Sequence, residues 1–335
     1  MFIEFGHYFS ILFELSFLEQ GLTMVSPLHN LNLAVAIKLL RQAQQSYIKL
    51  QGTMSEFQNY NGPIIDVWAN WWGDNFFVKF PRFKELYERI GIEQRMANSS
   101  KSLLMEAKKA KISKVILSAT VSNEAMVTNE EVLEVAKKSS GLVQTCASVD
   151  PRQGMASIRM LRSCVNNLGC TALKFLPFLY GLPPNHASYF PLYAECVELN
   201  IPVLILTGHT AVHLSNETGR PSSLDDIALH FPELIIIAGH AGYPWSEELI
   251  ALSWKHQNLY IDTSGHHPKF FPEPILRFLK GHGRDKVLFG TGYPMMDYKS
   301  ITKAVFDLDL KDEILEKFLF RNAVKIWPNI LMEKG

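Results

Sequence analysis

Short runs of apolar residues recur along the chain from Pro63 onward, and a segment with helical spacing follows most of them. The runs are rich in Ile, Leu and Val, which is typical of parallel strands buried on both faces. The pattern predicts strands at residues 64–67, 114–119, 142–149, 172–176, 202–206, 234–238, 259–262 and 287–289. It predicts helices at residues 99–110, 155–168, 190–199, 224–231, 246–255, 274–281, 301–308 and 312–327, and one more after a capping box of Thr128 and Glu131.

The repeated order of strand and helix predicts an α/β fold, the (β/α)8 or TIM barrel. Eight such units over roughly 270 residues match the usual size of this barrel. A doubly wound open sheet is the alternative, but eight parallel units favour closure. No low-complexity tract divides the region, so we expect one barrel domain over residues 62–335.

Residues 1–61 have a different character. Residues 2–18 are apolar and aromatic but are interrupted by charged or polar side chains such as Glu4, His7 and Glu14. The interruptions argue against a membrane span, and the lack of a basic leader argues against a secretory signal. Met54 resembles a second translation start. We therefore interpret residues 1–61 as an N-terminal extension that is not part of the fold.

Composition and charge exclude some classes of partner. The chain has 335 residues, 47% of them hydrophobic, and its 33 basic and 33 acidic side chains balance. This balance argues against nucleic acid or an anionic membrane, so we expect a small-molecule ligand; a homo-oligomer is compatible with it. The four cysteines do not form a C-x-x-C pair. They are interpreted as buried thiols of a reducing, cytoplasmic compartment.

Candidate functional residues lie where the predicted strands end, because all strands of such a barrel point their carboxyl ends at one mouth. His240 directly follows the aliphatic run 234–238, and its imidazole can exchange protons near neutral pH. Lys174 lies inside an apolar strand, where an ammonium must find a partner or lose its charge. With His209, these are the predicted catalytic residues. The predicted substrate-binding residues are Asp66, Trp68, Asn70, Trp71 and Tyr293.

Each of these residues also has a purely structural interpretation. A lone histidine is often hydrogen-bonded to the backbone, and Lys174 is equally compatible with an ion pair to Asp66 or Asp262. Asp66 is also compatible with holding a loop. The aromatic set Trp68, Trp71, Trp72, Phe76 and Phe77 either packs the rim of the barrel or forms a wall for a flat or acyl substrate.

A series of ordered motifs, spread over most of the barrel units, is similar to the amidohydrolase-related family. This branch of the amidohydrolase superfamily includes aminocarboxymuconate semialdehyde decarboxylase. The motifs, in order, are IID at 64–66, VDP at 149–151, LK at 173–174, IPVLI at 201–205, FPEL at 231–234, AGHAG at 238–242, NLYIDTS at 258–264 and VLFGTGYPM at 287–295. The resemblance covers about 64–327 and implies a TIM barrel with hydrolase or decarboxylase activity.

The resemblance also implies a divalent metal, usually zinc, bound through H-x-H after strand 1, His after strands 5 and 6, and Asp after strand 8. Of those five positions only His240 keeps a ligand; the other four are Trp68, Asn70, Leu206 and Gly292. These replacements are non-ligands or, for Asn, a poor zinc donor. We therefore predict no cofactor. A site rebuilt from His209, His213, His266 and His267 is an alternative.

Two functions remain open at this point. One is a hydrolase or carboxy-lyase acting on a small aromatic or acyl carboxylic compound, with a degenerate metal site. The other is a catalytically inactive barrel that binds a ligand or partner.

Overall fold

The computed structural model describes residues 60–73, 76–95, 99–123 and 126–332. The described residues from Asn61 onward belong to one compact unit. The predicted extension lies outside the described residues up to residue 59, so its separation from the fold stays a prediction. Among the described residues, no helix is both long enough and apolar enough to cross a membrane.

Eight parallel strands form the predicted barrel, and each predicted strand is present. A two-stranded antiparallel hairpin (β3 and β4) follows the second of them. The strands in chain order are β1 Ile65–Asn70, β2 Lys114–Ser118, β3 Thr120–Val121, β4 Met126–Val127, β5 Val143–Cys146, β6 Leu173–Phe175, β7 Val203–Leu206, β8 Ile236–Gly239, β9 Leu259–Asp262 and β10 Val287–Leu288.

Hydrogen bonds close the barrel at the two places where the ladders are interrupted. The ladders run β1–β2–β5 and β6–β7–β8–β9–β10. Ala147 joins the two sets, because its N–H donates to Ala172 O and its carbonyl accepts from Lys174 N, both at 2.8 Å. At the other seam, Val67 N donates to Phe289 O at 3.0 Å, and Asn70 N donates to Tyr293 O at 2.7 Å. The prediction of a TIM barrel is confirmed.

Helices surround the strands, and most of them bury one face. They are α1 Phe76–Lys79, α2 Pro81–Arg89, α3 Ser100–Lys109, α4 Asn129–Lys137, α5 Met155–Asn166, α6 Pro177–Tyr180, α7 Phe190–Glu198, α8 Ser223–His230, α9 Ser246–Lys255, α10 Glu273–Lys280, α11 Tyr298–Phe306, α12 Asp312–Glu316 and α13 Asn322–Ile326. Helix α10 is typical: Ile275, Phe278 and Leu279 are buried, while Arg277 and Lys280 lie in its last turn. Burying each such apolar side chain contributes roughly 1.5–3 kcal/mol.

Local sequence signals explain several boundaries, and some elements differ from the prediction. The capping box of Thr128 and Glu131 starts α4 with both reciprocal hydrogen bonds. The predicted helix 312–327 passes through a π-helical turn, Lys317–Arg321, between α12 and α13. Strand β1 extends to Asn70, beyond the predicted end at residue 67. Helices α1, α2 and α6 were not predicted: α1 and α6 have only four residues each, and α2 and α6 begin at a proline, the position where a helix tolerates this residue.

Candidate active site

A cavity of about 100 Å³ lies at the mouth formed by the carboxyl ends of the strands. Aromatic and aliphatic side chains make most of its wall. Its polar lining includes the side chains of Asn70, His209, His240 and His266. The aromatic residues of the wall are Trp68, Trp72, Phe83, Tyr87 and Phe178. A larger cavity of about 400 Å³ lies at the opposite end, lined by the entries to β6 and β7 and by residues 326–330. The imidazoles make the mouth the candidate for chemistry.

Trp68 occupies the centre of the mouth. Its side chain is buried, and its ring centroid lies 5.3 Å from that of His240 in an edge-on arrangement. A Cβ atom added at Gly239 would lie only 2.7 Å from Trp68 Cη2, so the indole reaches across to β8. Glycine at position 239 therefore makes room for this ring.

Lys174 is buried below the cavity and is held by a neutral partner. Its Nζ donates to Asn70 Oδ1 at 2.6 Å and lies 5.3 Å from the centroid of the Trp68 ring. Burial lowers the pKa of Lys174 to about 8, and the nearby Cys146 and Asp262 only partly oppose this effect. The ion pair considered with Asp66 or Asp262 is not formed. Lys174 is not among the residues that line the cavity, whereas Asn70 is.

His240 is held from behind by the end of strand β9. Its Nδ1 lies 2.9 Å from Ser264 Oγ, and that hydroxyl also contacts Asp262 Oδ2. Burial is the main cause that lowers the pKa of His240 to about 3, and His266, Lys174 and His209 add to it. The imidazole is therefore neutral near pH 7. Burial raises the pKa of Asp262 to about 7.

Asp66 holds the mouth together and does not reach the ligand space. Its carboxylate accepts from Thr291 N at 2.9 Å, from Thr291 Oγ1 at 2.6 Å and from Trp68 N at 3.1 Å. These contacts tie β1 to the segment after β10, and burial raises the pKa of Asp66 to about 6. This placement matches the interpretation of Asp66 as a loop-holding acceptor and does not match the predicted contact with substrate.

Two further predicted substrate-binding residues lie away from the cavity. Tyr293 is fully buried, stacks on Tyr298 with ring centroids 4.7 Å apart, and donates from its hydroxyl to Glu106 Oε1 at 3.3 Å. It packs outward against the helices because the segment after β10 is hydrogen-bonded along β1. Trp71 is half-buried beside Gly73, and the neighbouring Trp72 lines the cavity instead.

The four other histidines considered for the site divide into two groups. His209 is exposed and lines the cavity, and His266 lines it with Nε2 placed 3.1 Å from His240 O. His267 contacts Ser300 Oγ at 3.1 Å and caps a turn, while His213 contacts Arg89 at 2.6 Å. His213 and His267 therefore have structural partners, which contradicts a site rebuilt from all four.

Several residues of the site were not assigned a role from the sequence. Phe83 and Tyr87 lie on α2 and Phe178 lies on α6, two helices that apolar periodicity did not reveal. Ser264 lies in the run IDTS, two residues after Asp262. This spacing of a hydroxyl and a carboxylate is the sequence signal that could have indicated its role. Its contact with His240 across 24 residues depends on the tertiary structure.

The residues of the mouth do not fit the divalent metal that the sequence resemblance implied. The indole of Trp68 fills the central space, Leu206 and Gly292 offer no donor atom, and the Asn70 amide is engaged by Lys174. Within the described residues, no group of three or more His, Cys, Asp or Glu side chains is arranged to hold a metal ion. His240 alone keeps the ligand type, and one imidazole does not make a metal site.

Solved structures with the same fold cover most of this chain. An uncharacterized TIM-barrel protein from Bordetella bronchiseptica is 22% identical with a TM-score of 0.67, over 80% of this chain and 99% of that chain. A 5-carboxyvanillate decarboxylase from Sphingomonas paucimobilis is 12% identical with a TM-score of 0.62, over 79% and 99%. A 2,6-dihydroxybenzoate decarboxylase from Rhizobium is 17% identical with a TM-score of 0.55, over 79% and 98%. At these identities the likeness shows the TIM-barrel fold.

Comparison with sequence families gives a more specific result. A search of curated proteins found no significant match. The sequence profile of the family described as Amidohydrolase matches residues 105–328, which is more than half of the chain. The matched region includes β5 to β10 and both Lys174 and His240. The chain therefore belongs to this amidohydrolase family.

Proposed function

We propose that this protein is a carboxy-lyase that acts on a small aromatic or acyl carboxylic compound without a bound metal. The observation that carries the proposal is the buried Lys174 ammonium, which is bonded to the neutral Asn70 at the floor of the cavity. A buried cation without a carboxylate bonded to it is costly unless an anion compensates it. A substrate carboxylate is such an anion.

The size and lining of the cavity limit the ligand. A cavity of about 150 Å³ is large enough for benzene, and the cavity at the mouth measures about 100 Å³. At this smaller volume a short acyl chain fits without movement of the wall, whereas a single aromatic ring requires the wall to move or part of the ligand to extend out of the mouth. The aromatic side chains of Trp68, Trp72 and Phe83 suit a flat ligand. The structural relatives named for decarboxylation of 5-carboxyvanillate and 2,6-dihydroxybenzoate are consistent with this class.

Asn70 connects the buried charge to the cavity. Lys174 donates to its carbonyl oxygen, which polarises the amide and strengthens its N–H groups as donors. One of those N–H groups donates to Tyr293 O at 3.3 Å. The other is available to a ligand carboxylate, and the positive charge behind it favours an anion.

His240 supplies the proton step. In decarboxylation the bond to the carboxylate carbon breaks, its electron pair stays on the substrate, CO2 leaves and a proton takes its place. With Nδ1 held by Ser264, Nε2 is the atom of His240 that remains for the substrate. Hydrolysis of an ester or lactone is the second candidate, because a neutral imidazole can also take a proton from water.

A substrate screen on chelator-dialysed protein tests the proposal. Wild type, His240→Ala and His230→Ala should be compared on one-ring aromatic acids, short keto acids, esters and lactones, with CO2 release and substrate loss as readouts. Wild type should release CO2, and His240→Ala should lose on the order of a hundredfold or more in turnover. His230, exposed on α8, is the control for loss of a histidine. Equal turnover in wild type and His240→Ala, or ligand binding with no turnover at all, would contradict the proposal; the latter result indicates a binding protein.

A further inference from the structure

Behind His240 lies a continuous chain of polar groups that does not itself reach the cavity. Ser264 Oγ lies 2.9 Å from His240 Nδ1 and contacts Asp262 Oδ2, and Ser264 N donates to Asp262 Oδ1 at 3.1 Å. Asp262 and Ser264 are fully buried, and neither lines the cavity. We propose that Asp262 and Ser264 form a proton relay that delivers a proton to Nδ1 of His240 while Nε2 gives up its own proton during turnover.

The surrounding backbone leaves space for both ends of this chain. A Cβ atom at Gly265 would lie 2.8 Å from His240 Cδ2, and one at Gly290 would lie 1.8 Å from Asp262 Oδ1. His240 itself has φ of 61°, a left-handed conformation that a non-glycine residue adopts at a cost of roughly 1–2 kcal/mol. Such strain is typical of functional sites. The imidazole and the carboxyl group are thus both held in constrained positions.

The relay allows a neutral His240 to act as an acid near pH 7. Because burial lowers the pKa of His240 to about 3, the imidazolium is too scarce near pH 7 to act as the acid. A neutral imidazole can still deliver its Nε2 proton if Nδ1 receives another proton at the same time. The hydroxyl of Ser264 can supply that proton and take one from Asp262 in turn.

The proton balance of the step is complete. The Nε2–H bond breaks and a C–H bond forms on the substrate carbon. The Ser264 hydroxyl proton moves to His240 Nδ1, and the carboxyl proton of Asp262 moves to Ser264 Oγ. His240 stays neutral and changes tautomer, while Asp262 becomes a carboxylate. A solvent proton that enters through the cavity and binds Nε2 resets the chain, because the Nδ1 proton then returns to Ser264 Oγ and the hydroxyl proton returns to Asp262.

The groups around the relay are consistent with a carboxyl group that exchanges its proton near neutral pH. Burial is the main reason why the pKa of Asp262 rises to about 7, and Asp66 on β1 adds to it. Asp262 in turn raises the pKa of Lys174 on β6. Lys174, His209 and His266 are the titratable neighbours of His240.

Nuclear magnetic resonance of the imidazole nitrogens tests the relay without any substrate. Below about pH 7 Asp262 should be protonated, Ser264 should donate to Nδ1, and His240 should carry its proton on Nε2. Above that pH the order of donors reverses and the proton should lie on Nδ1. Wild type should therefore change tautomer between about pH 5 and pH 9. A single tautomer across this range would overturn the relay.

Variants connect the tautomer change to the two relay residues. Asp262→Asn and Ser264→Ala should each remove the pH dependence of the tautomer. Ser246→Ala, which deletes another buried hydroxyl that donates to Ala241 O at 2.8 Å, should retain it. A tautomer change that persists in Asp262→Asn would assign the titration to another group and overturn the proposal. The wild-type titration decides the matter if a variant fails to fold.

Kinetics form the second part of the test, and this part rests on the proposed function. For a substrate that the enzyme decarboxylates, kcat should fall as pH rises through about 7. Ser264→Ala should lower kcat at least tenfold with little change in KM, and Asp262→Asn should remove the fall above pH 7. A tautomer change without turnover of any acid would support proton exchange between Asp262 and His240 and reject the carboxy-lyase. Turnover without a tautomer change would reject the relay alone.

Discussion

At the scale of single residues, Lys174 is the least expected feature of the barrel. The residue is 1% exposed, and its ammonium donates a hydrogen bond to a neutral amide oxygen 2.6 Å away. Burial of a cation destabilises the folded state unless charge or hydrogen bonds compensate it. Under the proposed function, an anion bound in the cavity compensates this cost.

Replacing Lys174 with methionine should therefore stabilise the protein and weaken anion binding. The folded pKa of about 8 lies below the ordinary 10.5, so the burial penalty is fully present below pH 8 and disappears as pH rises toward 10.5. At pH 7 the difference in unfolding free energy should be on the order of 3 kcal/mol or less, since the hydrogen bond to Asn70 is also lost.

Denaturant unfolding at pH 7 and pH 10 measures this effect. The stability advantage of Lys174→Met over wild type should shrink at the higher pH, and affinity for a benzoate-type anion at pH 7 should fall at least tenfold. Lys84→Met, at an exposed position on α2, is the control for loss of a lysine. A variant that is less stable than wild type and binds the anion equally well would contradict the role of the charge.

At the scale of elements, the turns after β8 and β9 decide where the imidazole lies. The β8 turn places His240 in a left-handed conformation, and the β9 turn brings Ser264 and Gly265 against its ring. Neither turn makes the site alone, since the histidine and its hydrogen-bond partner come from adjacent strands of the barrel.

The substitution Gly265→Ala should displace His240, because its Cβ atom would lie 2.8 Å from Cδ2. The matched control is Gly181→Ala. Both glycines have positive φ, 74° and 66°, so both variants should lose about 1 kcal/mol of stability from backbone strain. A Cβ atom at Gly181 meets no atom within 4 Å.

Turnover and the imidazole resonances of His240 distinguish the two variants. Gly265→Ala should shift the resonances and lower turnover at least tenfold, whereas Gly181→Ala should change only the unfolding midpoint. Identical turnover in the two variants would mean that the ring tolerates the displacement or takes no part in the reaction.

At the scale of the whole molecule, the fold is a TIM barrel, and its mouth holds few of the metal ligands that the family resemblance implies. Trp68 fills the space at the centre, and Lys174 provides a positive charge below it. A fixed organic cation can attract and orient a carboxylate, but it cannot activate water as a metal does. This difference favours chemistry that needs anion binding and one proton transfer.

The protein should therefore contain clearly less than one equivalent of zinc, manganese or iron per chain after purification. Four of the five ligand positions implied by the family resemblance, Trp68, Asn70, Leu206 and Gly292, are non-ligands or poor donors. Elemental analysis measures the content, and thermal unfolding with and without a chelator measures its effect. A stoichiometric metal that survives chelator dialysis, or a large drop in the unfolding midpoint, would show that other residues form a metal site.

The sequence by itself determined the barrel and the chemical types available at its mouth. Apolar periodicity is a local property, and eight alternating units can bury their strands only by packing side by side in a closed sheet. The strand ends then share one face by topology, and in the structure Trp68, Asn70, His209 and His240 line the cavity on that face. Side-chain type alone also predicts that most ligand positions implied by the family resemblance do not coordinate a metal.

The tertiary structure decided which of these groups meet. Lys174 bonds Asn70 across 104 residues, Ser264 reaches His240 across 24, and Tyr293 faces the surrounding helices. The direction of a side chain at a strand end depends on the register shift in β1, on turn conformation and on the glycines that leave space. These are long-range packing relations, and no local pattern in the chain encodes them.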